Sequence, residues 1–141
     1  MDLRLVKEGN AFTVYAIEMG KTLREFLAAL EKSDLKEHDR VIARLDQLAE
    51  HGASRRKDEF NILQDGLYEA KTAKGSRVVF FYEKNQIVIC THGFAKKSRK
   101  TPKELVEAAL ERKRIYQKAR QSAEKIRIII SEAQGKPRRL P

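Results

Sequence analysis

Leu67–Pro102 reads LYEAKTAKGSRVVFFYEKNQIVICTHGFAKKSRKTP, and its reading decides the fold. Leu67 to Thr72, Arg77 to Glu83 and Gln86 to His92 are rich in β-branched and aromatic residues, as strands are. Ala73–Ser76 and Lys84-Asn85 separate them. Turns this short join neighbouring strands antiparallel. Val78-Val79-Phe80-Phe81-Tyr82 and Ile87-Val88-Ile89-Cys90 are apolar on both faces. They therefore predict central strands with helices on one face and a second, partial cover on the other. After His92 comes the basic loop GFAKKSRK, from Gly93 to Lys100. Thr101-Pro102-Lys103-Glu104 then opens a helix, with Thr101 as cap, Pro102 in the first turn and Glu104 completing the box.

Upstream, Phe60 to Leu63 reads as a short strand, and Asp65-Gly66 is a hairpin turn signal. Phe12 to Ile17 reads as an earlier strand. Thr22, with Glu25 three residues on, caps a helix whose apolar face is Leu23, Phe26, Leu27 and Leu30. After Ser33-Asp34 a second helix carries Leu35, Val41, Ile42, Leu45, Leu48 and Ala49, and Gly52 ends it. The two form an antiparallel hairpin. Ala53 to Asp58 carries Arg55, Arg56 and Lys57, either a solvated linker or a phosphate-contacting rim.

Downstream, apolar residues spaced by three and four predict a helix from Pro102 to about Gln134, before Gly135 and Pro137. Ile128-Ile129-Ile130 also permits a strand. The expected fold class is α+β: an N-terminal helical hairpin packed on a small antiparallel sheet, with a long C-terminal helix. Residues 1–118 form the expected domain, and 119–141 a helical extension with a basic tail.

At 141 residues the chain suits one core. Thirty Lys+Arg against 20 Asp+Glu give a formal net charge of +10, which fits a polyanionic partner, nucleic acid first. Cys90 is the only cysteine, which rules out an intramolecular disulfide and a four-thiolate zinc site. The start MDLRLVKEGN has no apolar leader core, and no run approaches a membrane span. The expected location is cytoplasmic, with no membrane partner.

The chemistry is a matter of cations. Glu69 and Glu83 lie on different strands without a metal-like cluster, so no metal and no cofactor is expected. Lys71 and Arg77 flank one turn, His92 ends the last strand, and Lys96, Lys97, Arg99 and Lys100 follow. Such a rim can promote attack of an RNA 2′-OH on the adjacent phosphate. Arg77 suits the phosphate charge. Lys71 suits a base if neighbouring cations lower its pKa, and His92 suits a base or an acid. Tyr68 and Tyr82 are candidates to stack on bases, although Tyr82, in an apolar strand, also reads as core. His92 also reads as a satisfied strand-end histidine, and the loop as merely solvated.

Together, the helical hairpin, Asp65-Gly66-Leu67-Tyr68-Glu69, Gly75 with Arg77-Val78 and Phe80-Phe81-Tyr82, and His92-Gly93-Phe94 with Lys96-Lys97 and Lys100-Thr101-Pro102 and Glu104 form a pattern. It resembles the phage-derived Gp49-like, HigB-like branch of the RelE/ParE superfamily, from about Phe12 to Tyr116. The resemblance implies a RelE-like fold and the toxin of a type II toxin–antitoxin pair. It implies a metal-independent, ribosome-dependent mRNA endoribonuclease (an mRNA interferase) that arrests translation. Its partners would be mRNA, the ribosome and an antitoxin with a helix-turn-helix domain, in a toxin–antitoxin hetero-oligomer. Basic strand residues of the relatives correspond to Lys71 and Arg77, and a loop cation to Lys96 or Lys97. Some relatives add a tyrosine in the C-terminal helix; here Tyr116 lies too far along. Two other readings stand beside this one. One is a non-enzymatic, ParE-like inhibitor of a topoisomerase, and the other a nucleic-acid-binding phage accessory protein.

Overall fold

The computed structural model describes residues 1–96, 101–122, 126–130 and 138–139. In chain order the elements are β1 (Asp2–Glu8), β2 (Thr13–Ile17), α1 (Leu23–Ser33), α2 (Leu35–His51), β3 (Phe60–Ile62), β4 (Tyr68–Lys71), β5 (Ser76–Glu83), β6 (Ile87–Ala95), α3 (Lys103–Gln121), β7 (Arg127–Ile129) and β8 (Arg138–Arg139). The strands form one eight-stranded sheet in the order β3-β4-β5-β6-β2-β1-β7-β8.

The architecture remains α+β, but the expected small antiparallel RelE-like sheet is wrong. The sheet is large and mixed, and two strands precede the helical hairpin. Pairing across long stretches of chain causes this. β2 lies parallel to β6, with Tyr15 opposite Ile89. β1 turns back antiparallel on β2 and pairs parallel with β7 on its other side, Leu3 opposite Ile128. The expected long C-terminal helix is also shorter. α3 stops at Gln121 with Ser122 in extended conformation, and the isoleucine run supplies β7 instead. β-branched residues favour that choice once an open strand edge is available to pair with.

The hairpin forms as its caps dictate. Thr22 accepts from the Glu25 amide, Asp34 accepts from the Glu37 amide, and Gly52 closes α2 at φ 78°. Asp65 and Gly66 both take positive φ, 53° and 78°, as a tight β3–β4 turn requires.

Alternation along the strands divides the core. Val14, Ala16, Val78, Phe80, Val88 and Cys90 meet α1 and α2 through Leu23, Val41, Leu45 and Leu48. Tyr15, Ile17, Val79, Phe81, Ile87 and Ile89 meet α3 through Val106, Ala109, Tyr116 and Ala119. The sheet is thus covered on both faces, and α3 is the second cover that the doubly apolar strands called for. The register shifts between β5 and β6 where Val79 faces His92 and Phe80 faces Cys90. That bulge leaves Thr91 unopposed and keeps His92 on the α3 face.

Candidate functional site

Lys71 and Arg77 are direct cross-strand partners, and Arg77 also faces Phe94. All three belong to the α3 face. The Lys96 amide donates to the Gly75 carbonyl at 2.9 Å, which brings the start of the basic loop against the β4–β5 turn. A Cβ on Gly75 would lie 2.6 Å from the Lys96 carbonyl oxygen, and φ there is +120°. Only glycine permits that approach.

Arg77 is buried. Its Nη1 donates to the carbonyls of Thr72 (3.2 Å) and Ser76 (2.9 Å). Its Nε lies 3.8 Å from Glu69 Oε1. Glu69, 2% exposed, also accepts from the Thr101 hydroxyl. The expectation that Thr101 caps α3 is therefore corrected: Pro102 is the cap residue and makes no side-chain cap bond. The Thr101 hydroxyl instead fastens the start of α3 to the sheet. Burial lowers the pKa of Arg77, and Glu69 and Glu37 oppose this. Lys96 is also buried. Burial first, then Arg77, lowers its pKa; Glu69 opposes and Lys71 adds to the lowering. Lys71 Nζ donates to the Lys57 carbonyl at 2.9 Å, tying the basic loop after α2 to the rim.

His92 is on the same face but does not share in this cluster's contacts. The Thr91 hydroxyl donates to the Val79 carbonyl at 3.2 Å and lies 3.1 Å from His92 Nδ1. It therefore accepts from Nδ1–H, which leaves Nε2 as a bare acceptor. Nε2 is buried without a hydrogen bond, and the ring lies 5.2 Å from that of Phe94. Burial, then Arg112, pushes its pKa down to about 4. His92 is neutral at pH 7 and has no proton of imidazolium to give.

Tyr68 and Tyr82 lie on the opposite face. Tyr68 stacks on Phe80 with centroids 5.5 Å apart, and Tyr82 packs against Phe12 at 5.1 Å. The Tyr82 hydroxyl accepts from the Ala53 amide at 3.0 Å. Arg55, Lys57, Tyr68 and Tyr82 line one cavity of about 590 Å³, with Phe60, Asn61 and Ile62. Arg56 pairs with Asp58 instead, at 3.0 Å. Lys97, Arg99 and Lys100 lie outside the described residues. The candidate residues thus fall into two groups: Lys71, Arg77 and Lys96 on the α3 face, and Arg55, Lys57 and the tyrosines on the other.

Sequence reasoning missed the part of Glu69. The sequence offered this residue as a metal-binding acid and as part of a family pattern, yet Glu69 is diagonal to Arg77 across the β4–β5 ladder. Diagonal opposite charges on one face are the available signal. Among the described residues, no three His, Cys, Asp or Glu side chains are grouped to hold a metal ion. No helix of the described residues is long and apolar enough to cross a membrane.

What these features define is a basic α+β protein with a cationic cluster beside a helix start. The family model described as "Phage derived protein Gp49-like (DUF891)" matches residues 25–114, from α1 into α3 and across the whole rim. The chain belongs to this Gp49-like family, which is associated with the toxins of toxin–antitoxin pairs. No curated protein matches it.

Proposed function

We propose that this chain is the toxin of a type II toxin–antitoxin pair, an endoribonuclease acting on mRNA in the ribosome without a metal. In activity, though not in sheet architecture, it would stand with the HigB-like branch of the RelE/ParE superfamily. Its partner would be an antitoxin with a helix-turn-helix domain. The observation that carries this reading is the meeting of Lys71, Arg77 and Lys96 around the carboxylate of Glu69, where the basic loop leaves the sheet. Lys71, Arg77 and Lys96 outnumber Glu69 and Glu37, the two buried carboxylates that act on Arg77, and leave an excess of positive charge for a phosphate.

The neutral form of Lys96, which burial and Arg77 favour over the charged one, takes the proton of the 2′-OH. The 2′-oxygen bonds to phosphorus as the bond to the 5′-oxygen breaks, giving a 2′,3′-cyclic phosphate and a 5′-hydroxyl. Lys71 and Lys97 balance the charge on the phosphoryl oxygens, and one returns a proton to the 5′-oxygen. Arg77, committed to two carbonyls, contributes its field and holds the turn. His92, neutral, buried and outside this cluster's contacts, takes no step in it.

Primer extension on mRNA after induced expression tests the reading. New 5′ ends within open reading frames are expected for the wild type. They should be absent for Lys96→Ala and for Arg77→Lys, which keeps the buried charge but not the fork. Growth arrest with intact mRNA and a DNA-damage response would sink it and point to a topoisomerase inhibitor. Binding to nucleic acid with neither effect would leave an accessory protein.

A further inference from the structure

The cavity beside β3 is left over once the rim is assigned a task. Its volume, about 590 Å³, lies within the range of small-ligand sites. Tyr68, Tyr82 and Phe60 line it with aromatic side chains, and Asn61 adds an amide. Arg55 and Lys57, both exposed, stand on the rim of the cavity. Neither side chain makes an ion pair among the described residues. Arg56, between them, does pair, so the two that line the cavity are the two left unneutralised. β3 is one of the sheet's two edge strands, and Ile62 at the mouth is 70% exposed.

We propose that this cavity is a subsite for one unstacked nucleotide of single-stranded RNA. The base lies against Tyr68 and Tyr82, and its flanking phosphates meet Arg55 and Lys57. The inference rests on the RNA reading above and deepens it by adding a second contact on the opposite face of the sheet. The two contacts are continuous across the sheet edge. Lys71, on the rim, donates to the carbonyl of Lys57, on the cavity. An RNA strand that rounds the β3–β4 edge therefore passes from Lys57 to Lys71, with the neighbouring carboxylates Asp58 and Glu59 already paired to Arg56 and Arg44. Aromatic surface with cations at its border is the pattern of single-strand binding. An extended acidic peptide would use the cations but has no need of the ring faces.

A 2′-O-methyl oligoribonucleotide hexamer with one 2-aminopurine is the probe, because it binds without being cut. With the wild-type chain at low salt, fluorescence should fall on binding as the base stacks. Arg55→Ala combined with Lys57→Ala changes only exposed side chains. It should weaken binding about tenfold and reduce the salt slope by about 1.4, roughly 0.7 for each phosphate no longer neutralised. Ile62→Trp, which fills the mouth, should abolish the fluorescence change. Circular dichroism confirms that each variant is folded. Wild-type binding without a fluorescence change overturns the subsite while leaving the RNA reading intact. So does equal binding by the double variant. An equal loss of affinity for poly-L-glutamate, with no fluorescence change, also overturns it and leaves a general anion surface. Absence of any RNA binding by the wild type overturns both readings. Loss of cleavage in Arg77→Lys with the fluorescence change kept supports the subsite as separate from the rim.

Discussion

Glu69 and Arg77 are buried together on adjacent strands, with Oε1 3.8 Å from Nε and each side chain under a tenth exposed. Neither is alone: Thr101 donates to the carboxylate, and two carbonyls accept from the guanidinium. A buried pair of this kind is costly to break from one side, because the remaining charge stays desolvated. Arg77→Ala and Glu69→Ala are each expected to lose about 3 kcal/mol of stability in urea unfolding. Glu69→Gln keeps an acceptor for Thr101 and should lose less. A loss of activity in Arg77→Ala therefore has to be read beside its unfolding curve.

His92 makes stability depend on pH. Its pKa is about 4 when folded and about 6.5 when unfolded. Between these values the unfolded chain binds a proton that the folded chain does not, so stability rises with pH. The contribution is fully present above pH 6.5 and is lost as pH falls toward 4, amounting to about 3 kcal/mol. Urea melts from pH 4 to 7 should show this slope, and His92→Asn should flatten it. The same slope in both proteins would place the titrating group elsewhere.

Tyr82→Phe tests the anchoring of the loop after α2. The substitution keeps the ring against Phe12 and removes the acceptor of the Ala53 amide. About 1 kcal/mol should be lost, and hydrogen exchange at Ala53 should quicken. Unchanged exchange there would mean that the bond does not hold the loop.

Cys90 is fully buried among the residues facing α1 and α2, and burial pushes its thiol up to about 12. Only the thiolate reacts. In the native protein, labelling by iodoacetamide at pH 8 should follow unfolding rather than surface encounter, slowing as stability increases. Fast labelling of folded protein would contradict the burial of β6.

Local chemistry was legible, and distance along the chain was not. Thr22, Asp34 and Gly52 mark the ends of α1 and α2 in the sequence itself. Asp65-Gly66 marks the β3–β4 turn. The two apolar faces of β5 and β6 announced cover on both sides. They could not say that α3 provides it. The alternation of Leu3 and Leu5 among charges was the sign of β1, but a short amphipathic start is weak evidence without its partner. β7 was ambiguous because isoleucine serves helix and strand; the open edge of β1 decides it. At the candidate site, Lys71 opposite Arg77 followed from the turn between them. That Tyr68 and Tyr82 face away from this pair was legible in the alternation, since Tyr68 and Lys71 lie at odd spacing on β4 and Tyr82 and Arg77 at odd spacing on β5; which of the two faces meets α3 was not.

The pairing of β1 with β7 has a consequence in time. Asp2 and Arg127, joined by two side-chain hydrogen bonds, are separated by 125 residues. A ribosome makes one edge of this pairing long before the other. During that interval the Leu3 side of β1 has β2 but not β7, and Ile126 and Ile128 are not yet there to join the core around Tyr116. β7 acts as a latch on the sheet that precedes it. A chain whose synthesis stops after α3 would carry the family's matched residues and the whole described rim, yet expose a bare strand edge of the kind that recruits other copies.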